Sequence, residues 1–316
     1  MDWSPAGVPG QNGRTALVTG GSGGLGLEVA RLLAGRGAHV VLACRSTERG
    51  RAAAARIAGS TEVLPLDLAS LDSVRRAADE VRHRHGRLDL LVNNAGVMFP
   101  SRPATDDGFE SHFGVNHLGH FALTGLLLDL MHGVPGSRVV TVSSLAHRAG
   151  RGAPDASAAR ATSGHRSLHA YGRSKLANLM FARELERRLA AGGAETLSVA
   201  AHPGLSATAL WQGEAPGWLR PVSRVALRLL AQPPERAAGP VLRAATDPLL
   251  RGGTYLGPGE RFESRGAPAP AASSRVSRDT LAQVRLWELS ETLTGVHYGL
   301  APSRPAAGGP PAKAGG

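Results

Sequence analysis

At 316 residues, 42% hydrophobic and 19% charged, the chain has ample material for one sizeable core, which excludes a mainly disordered protein. A single cysteine, Cys44, excludes a disulfide framework and points to a reducing compartment, and aromatics at 4% argue against a base-stacking surface. Net charge is +11, but of 36 basic residues only Lys175 and Lys313 are lysines and the arginines are scattered, a mark of GC-rich coding, so no nucleic-acid partner is expected.

Residues 1–13 lack a signal peptide's hydrophobic core and read as a flexible N-terminus. No run approaches the roughly 18 apolar residues of a membrane span, so a cytoplasmic protein without one is expected. RTALVTG (14–20) is a short strand running into a glycine turn, and Leu25, Val29, Leu32 and Leu33 give 25–35 helical spacing. HVVLACR (39–45) is a second strand, an Ala/Arg helix follows, and TEVLPLDL (61–68) is a third. Ser70, with Asp72 behind it, opens a helix over 70–85, and LDLLVNNAG (88–96) is a fourth strand. Thr105 to about Met131 reads as helix, with Asp106 and Asp107 near its start favourable to the dipole. Further strands are expected at 137–144, 195–204 and 252–259, and a long helix at 170–191. Residues 264–276 are rich in Pro, Ala and Ser, and 301–316 should be disordered. Between them, Ala282, Leu286, Leu289 and Leu293 space a helix over 278–294 that docks back on the body.

Continuous apolar strands separated by helices imply an α/β fold with a doubly wound parallel sheet. The expected organisation is one Rossmann-fold domain over 14–263 and a C-terminal extension over 264–300 with its docking helix. Thr19-Gly20-Gly21-Ser22-Gly23-Gly24-Leu25-Gly26 lies where the first strand meets the first helix. A turn that tight needs residues without Cβ, and the helix behind it offers free N–H groups and a positive dipole end to a pyrophosphate.

That spacing, T-G-x-x-x-G-x-G, resembles the short-chain dehydrogenase/reductase family. The ordered set continues with Asn93-Asn94-Ala95-Gly96, Asn116, Ser144, the pair Tyr171 and Lys175 in Y-x-x-x-K, Pro203-Gly204 and Thr208. The resemblance implies a nicotinamide dinucleotide held by Gly20, Ser22, Gly24, Leu25, Gly26, Asn94, Ala95, Gly96, Tyr171, Lys175, Pro203 and Thr208. It also implies catalysis by Asn116, Ser144, Tyr171 and Lys175. Tyrosine, with pKa near 10, is a poor proton shuttle at neutral pH, and Lys175 one helical turn on would favour the phenolate. Ser144 would hold the substrate oxygen, with Ser143 as its competitor. Asn116 would bend its helix through a main-chain contact and hold a water beside Lys175.

At the end of the second strand stand Cys44 and Arg45 where an acidic residue would select NAD, so NADP(H) is expected, with NAD(H) possible. Gly23 departs from the second basic residue that many NADP-preferring relatives carry in the glycine loop. Asp67-Leu68 resembles the adenine-contacting pair. The runs 107–128, 43–46, 142–148 and 285–295 resemble the retinol-dehydrogenase-like and WW-domain-oxidoreductase-like branch, which implies a lipophilic alcohol or carbonyl substrate. Many relatives pair through the helices near 105–131 and 170–191, so a homodimer is possible unless the C-terminal region covers that surface. A non-catalytic NADP(H)-binding sensor is the alternative function, against which the intact Asn–Ser–Tyr–Lys set speaks. His112, His117 and His120 lack zinc-site spacing, and no metal is expected. His165, Arg166, His169 and Arg173 read as a solvated basic face. Residues 145–169 separate Ser144 from Tyr171 and are expected to form a lid over the substrate.

Overall fold

The computed structural model describes residues 3–4, 7–150, 152–157, 159–160, 168–204 and 233–301. Its strands are β1 (Thr15–Thr19), β2 (His39–Cys44), β3 (Thr61–Pro65), β4 (Leu90–Asn93), β5 (Arg138–Val142), β6 (Leu197–Ala201), β7 (Tyr255–Glu260) and β8 (Arg265–Pro270). They form one sheet in the order β3-β2-β1-β4-β5-β6-β7-β8. The first seven are parallel and β8 returns antiparallel along β7. This is the doubly wound Rossmann arrangement. The chain leaves β1 towards β2 and β3 and then crosses back to β4, so a crevice opens where β1 and β4 end.

Alternation along each strand builds two cores at once. Val18, Val40, Leu42, Val92 and Val140 meet α1 (Gly24–Ala34) and α7 (Pro234–Thr246) on one face. On the other, Leu17, Val41, Leu91 and Val139 meet α3 (Leu71–Arg84), α5 (Gly119–Leu127) and α6 (Leu168–Ala191). Two short helices, α2 (Thr47–Ala54) and α4 (Ser111–Phe113), complete the set before α8 (Thr280–Thr294). Asp279 caps α8 by accepting from Ala282 N at 3.1 Å, and Gly295 ends it with φ 64°. Trp287 of α8 is buried among Phe121, Phe181 and Tyr298, so the C-terminal helix docks back on α5 and α6.

Several expectations change. Residues 7–13 are docked rather than free: Val8 and Gln11 are buried, and Gln11 N donates to Arg36 O. The proline-rich run after 264 contains a strand, because β8 is an edge where Pro268 and Pro270 need donate no ladder bond outward. The expected helix from Thr105 begins only at Ser111. Glu110 caps it, accepting from His112 N at 3.1 Å and Phe113 N at 2.8 Å. Asp107 instead accepts from Leu71 N at 2.9 Å and so caps α3. Between α4 and α5, Gly114–Leu118 winds as a π-turn. Among the described residues no helix is long and apolar enough to cross a membrane.

Candidate active site

The glycine turn is fixed from two sides. Gly20 adopts φ 67°, a conformation open to glycine, and a Cβ there would lie 3.1 Å from Ala95 Cα. Gly26 is tighter: a Cβ would fall 2.5 Å from both Gly20 O and Asn94 Nδ2. Asn94 Nδ2 donates to Thr19 O at 2.8 Å, while Thr19 Oγ1 accepts from the main-chain N–H of Asn94 and of Ala95, each at 2.9 Å. Thr19 is thus the link between the loop after β4 and the turn after β1. Gly26→Ala is expected to cost about 1–3 kcal/mol and to weaken dinucleotide binding at least tenfold, measured by denaturant melts and fluorescence titration.

A cavity of about 660 Å³ lies over this turn, within the range of small-molecule sites. Its wall includes Gly20, Ser22, Gly24, Leu25, Gly26, Arg45, Asp67, Leu68, Asn94, Ala95, Gly96, Ser144, Tyr171, Lys175 and Pro203. Asn116 stands behind the wall, and Thr208 lies outside the described residues. Further lining residues come from outside the expected set, Arg49 among them. Arg49 reaches the cavity from the first turns of α2, one turn beyond Arg45, and supplies the second basic group that Gly23 does not. Cys44 is buried beside Ser22, and that burial raises its thiol pKa.

Tyr171 and Lys175 sit on successive turns of α6, with Nζ 5.9 Å from the phenol ring centroid. The Tyr171 hydroxyl lies close enough to that of Ser144 to be influenced by it, and Ser144 Oγ accepts from Ala146 N at 3.1 Å. Ser143 turns away and donates to Lys175 O at 2.7 Å. Burial dominates the electrostatics. The phenol is pushed up to about 12 by desolvation, against which the Ser144 hydroxyl works, and the Lys175 ammonium is pushed down to about 8 by desolvation. The expected stabilisation of a phenolate by Lys175 is therefore not met by these residues alone. Lys175 Nζ donates to Val142 O at 3.1 Å, a carbonyl that Asn178 Nδ2 also reaches at 3.1 Å.

Asn116 lies in the π-turn, and its carboxamide is fully engaged. Oδ1 accepts from Val97 N at 2.7 Å, while Nδ2 donates to Val97 O at 3.0 Å and Ser174 Oγ at 2.9 Å. It pins the 96–97 loop, so that a Cβ on Gly96 would lie 3.3 Å from Lys175 Nζ. The Asn116 carbonyl accepts from His120 Nδ1 at 3.0 Å. Burial pushes His120 down to about 3, so the ring is neutral and its Nε2 accepts from Thr19 Oγ1 at 2.8 Å. His112 joins Glu110 to Met98 O at 2.8 Å, and its ring meets Tyr171 edge-on at 6.3 Å. The contacts to Val97, Ser174, Thr19 and Met98 do not follow from sequence spacing, because those partners come from other elements.

The segment 145–169 differs from a simple lid. Leu145–Ala149 winds as a 3₁₀ turn against α6. Ala159 is buried with Phe113, Leu176 and Met180, and its carbonyl accepts from Glu110 N at 2.9 Å. Arg173 pairs with Asp155 at 3.3 Å and His169 Nδ1 bonds Ala149 O at 3.0 Å, so these two are tied down rather than solvated. Residues 161–167, with His165 and Arg166, lie outside the described residues.

The sequence pattern of the family described as short chain dehydrogenase matches residues 14–217. The chain is 40% identical over 310 residues to the polyprenol dehydrogenase of Mus musculus, covering 94% of this chain and 89% of that one. It is 39% identical over 298 residues to retinol dehydrogenase 13 of Homo sapiens, covering 90% and 85%. A crystal structure of an uncharacterized protein from Mycobacterium paratuberculosis is 42% identical, with a TM-score of 0.80, covering 94% of this chain and 99% of that one.

Proposed function

Because the chain belongs to the short chain dehydrogenase family, in its retinol-dehydrogenase-like branch, and is an oxidoreductase acting on CH–OH groups, we propose that it interconverts a lipophilic alcohol and its ketone or aldehyde with NADP(H), Tyr171 serving as general acid/base. One observation carries this reading. The hydroxyls of Tyr171 and Ser144 meet at one wall of the cavity, beside Lys175 and across from the glycine turn, although 27 residues separate them in the chain.

A dinucleotide suits this cavity, since Gly20 and Gly26 line it, their missing Cβ atoms let the turn close tightly on Asn94 and Ala95, and α1 starts directly behind with its free N–H groups. Bound there, the nicotinamide supplies the hydride donor or acceptor. The residues of the chain do the rest. Ser144 Oγ orients the substrate oxygen, and Tyr171 Oη gives that oxygen its proton or removes it. Lys175 and Gly96, held in register by Asn116, line the floor beneath them. Met98, Val115, Leu145 and Leu168 supply apolar surface around the same cavity, which supports a lipophilic substrate.

Arg45 and Arg49 support the NADP(H) preference, since both are exposed cations at the cavity with no carboxylate at the end of β2. Arg45→Ala is expected to weaken NADPH roughly tenfold, about 1.5 kcal/mol for one exposed charge-assisted contact, and to leave NADH nearly unchanged. Removing both arginines should bring the two cofactors to equal affinity, read by isothermal titration. Equal losses for both cofactors would make the arginines structural. NADPH oxidation measured against a panel of long-chain aldehydes and ketones tests the activity itself. Tight NADPH binding without turnover of any of them would favour a sensor.

A further inference from the structure

We propose that His39, Glu62 and His85 form a site for one divalent transition cation of the zinc class, at the rim of the sheet opposite the cavity. Each offers one ligand atom, and the three atoms lie within 4.8 Å of one another. They come from three elements: His39 opens β2, Glu62 is the second residue of β3, and His85 caps the C-terminus of α3. His85 Nε2 is 2.7 Å and His39 Nε2 is 3.9 Å from the same oxygen, Glu62 Oε1. A tetrahedral ion with bonds of about 2.0–2.1 Å holds its ligands about 3.3 Å apart, a distance that these two separations bracket. Side-chain shifts of about half an ångström would seat the ion.

The surroundings favour coordination. His39 Nδ1 is 2.7 Å from Ser60 Oγ, which fixes the ring and leaves Nε2 aimed at Glu62. The other Glu62 oxygen faces Arg84 Nη1 at 3.5 Å, so Oε1 alone is left for the cation. Arg84 is itself shared with Glu80, which tempers its repulsion. Side-chain exposures of 30%, 25% and 14% for His39, Glu62 and His85 let an ion enter with room for a water as fourth ligand. Two imidazoles and one carboxylate suit Zn²⁺, Co²⁺ or Ni²⁺ rather than Mg²⁺ or Ca²⁺. Because the strands carry the cavity at their carboxyl ends and this cluster at their amino ends, the cation would fasten the β2–β3 edge to α3 and take no part in hydride transfer. The sequence pointed to no metal, since the ligands are 23 residues apart in each step and share no helix face.

Tag-free protein, stripped with EDTA and freed of chelator, is titrated with Zn²⁺ and separately with Co²⁺. The expected result is one Zn²⁺ per chain with Kd below about 10 μM, and a rise in melting temperature of about 4–6 °C at one hundred times Kd. Bound Co²⁺ should add visible absorption bands. His85→Gln and Glu62→Gln should each weaken binding at least tenfold and abolish the thermal rise, and His39→Gln serves if either fails to fold. Weaker binding than this in the wild type, or binding undiminished in the variants, would place the metal on other histidines and overturn the proposal.

Discussion

Replacing Tyr171 by phenylalanine is expected to lower turnover by about 10²-fold or more while NADPH binds as in the wild type. The ring fills the same buried space, and only the hydroxyl that meets Ser144 is lost. Folding should not suffer, since the phenol is uncharged at neutral pH and the phenyl ring keeps the same buried volume. The pH dependence carries its own sign. A phenol that keeps its proton well above neutrality is ready to donate it, so carbonyl reduction should be flat with pH until the tyrosine in the complex begins to ionise. Alcohol oxidation needs the deprotonated form and should rise with pH over the same range. Steady-state rates in both directions from pH 6 to 10 check this, and turnover in the Tyr171→Phe protein near the wild-type rate would remove Tyr171 from the chemistry.

The second large effect concerns Lys175. Its ammonium is buried and held down to about 8, against an ordinary value of 10.5. Below pH 8 the folded, cofactor-free protein therefore bears the full cost of burying a charge, about 3 kcal/mol for a shift of that size. Between pH 8 and 10.5 the unfolded chain binds the extra proton, so stability rises with pH and the cost fades. Lys175→Met should thus be more stable than the wild type at pH 7 by about 2–3 kcal/mol, with the gap closing by pH 10.5, and it should be inactive. The lost contact to Val142 O is covered by Asn178. Denaturant melts of the cofactor-free proteins at the two pH values measure the difference. A variant less stable at pH 7 would contradict the assigned burial cost.

Much of this was legible because the physics is local. Strands β1 to β7 are short apolar runs between helices, and a parallel sheet buried on both faces admits little else. The glycine turn and the Tyr171–Lys175 pair declare themselves by spacing within one turn or one helix. What was not legible depends on partners distant in sequence. Asp106 and Asp107 read as the start of the helix that follows them, yet Asp107 caps α3 and Glu110 caps α4, because the loop folds back across the preceding helix. Helix α7 carries Pro240 inside it, and β8 carries Pro268 and Pro270, so proline hid both elements. The electrostatics could not be read either. Spacing puts a cation near Tyr171, but only the fold determines that both groups are stripped of water, and that burial sets both values. Arg49 came to the cavity through the geometry of α2, whose cap Ser46 accepts from Arg49 N at 3.3 Å.

Transfer of the hydride itself can be followed with labelled cofactor. NADPH deuterated at C4 on either face is incubated with a long-chain aldehyde, and the product alcohol is analysed by mass spectrometry. One deuterium is expected on the carbinol carbon from one of the two labelled faces in the wild type, formed at least about 10²-fold more slowly in Tyr171→Phe. Unlabelled alcohol from both, or no alcohol from any of several lipophilic carbonyls while NADPH binds tightly, would contradict the proposed reaction.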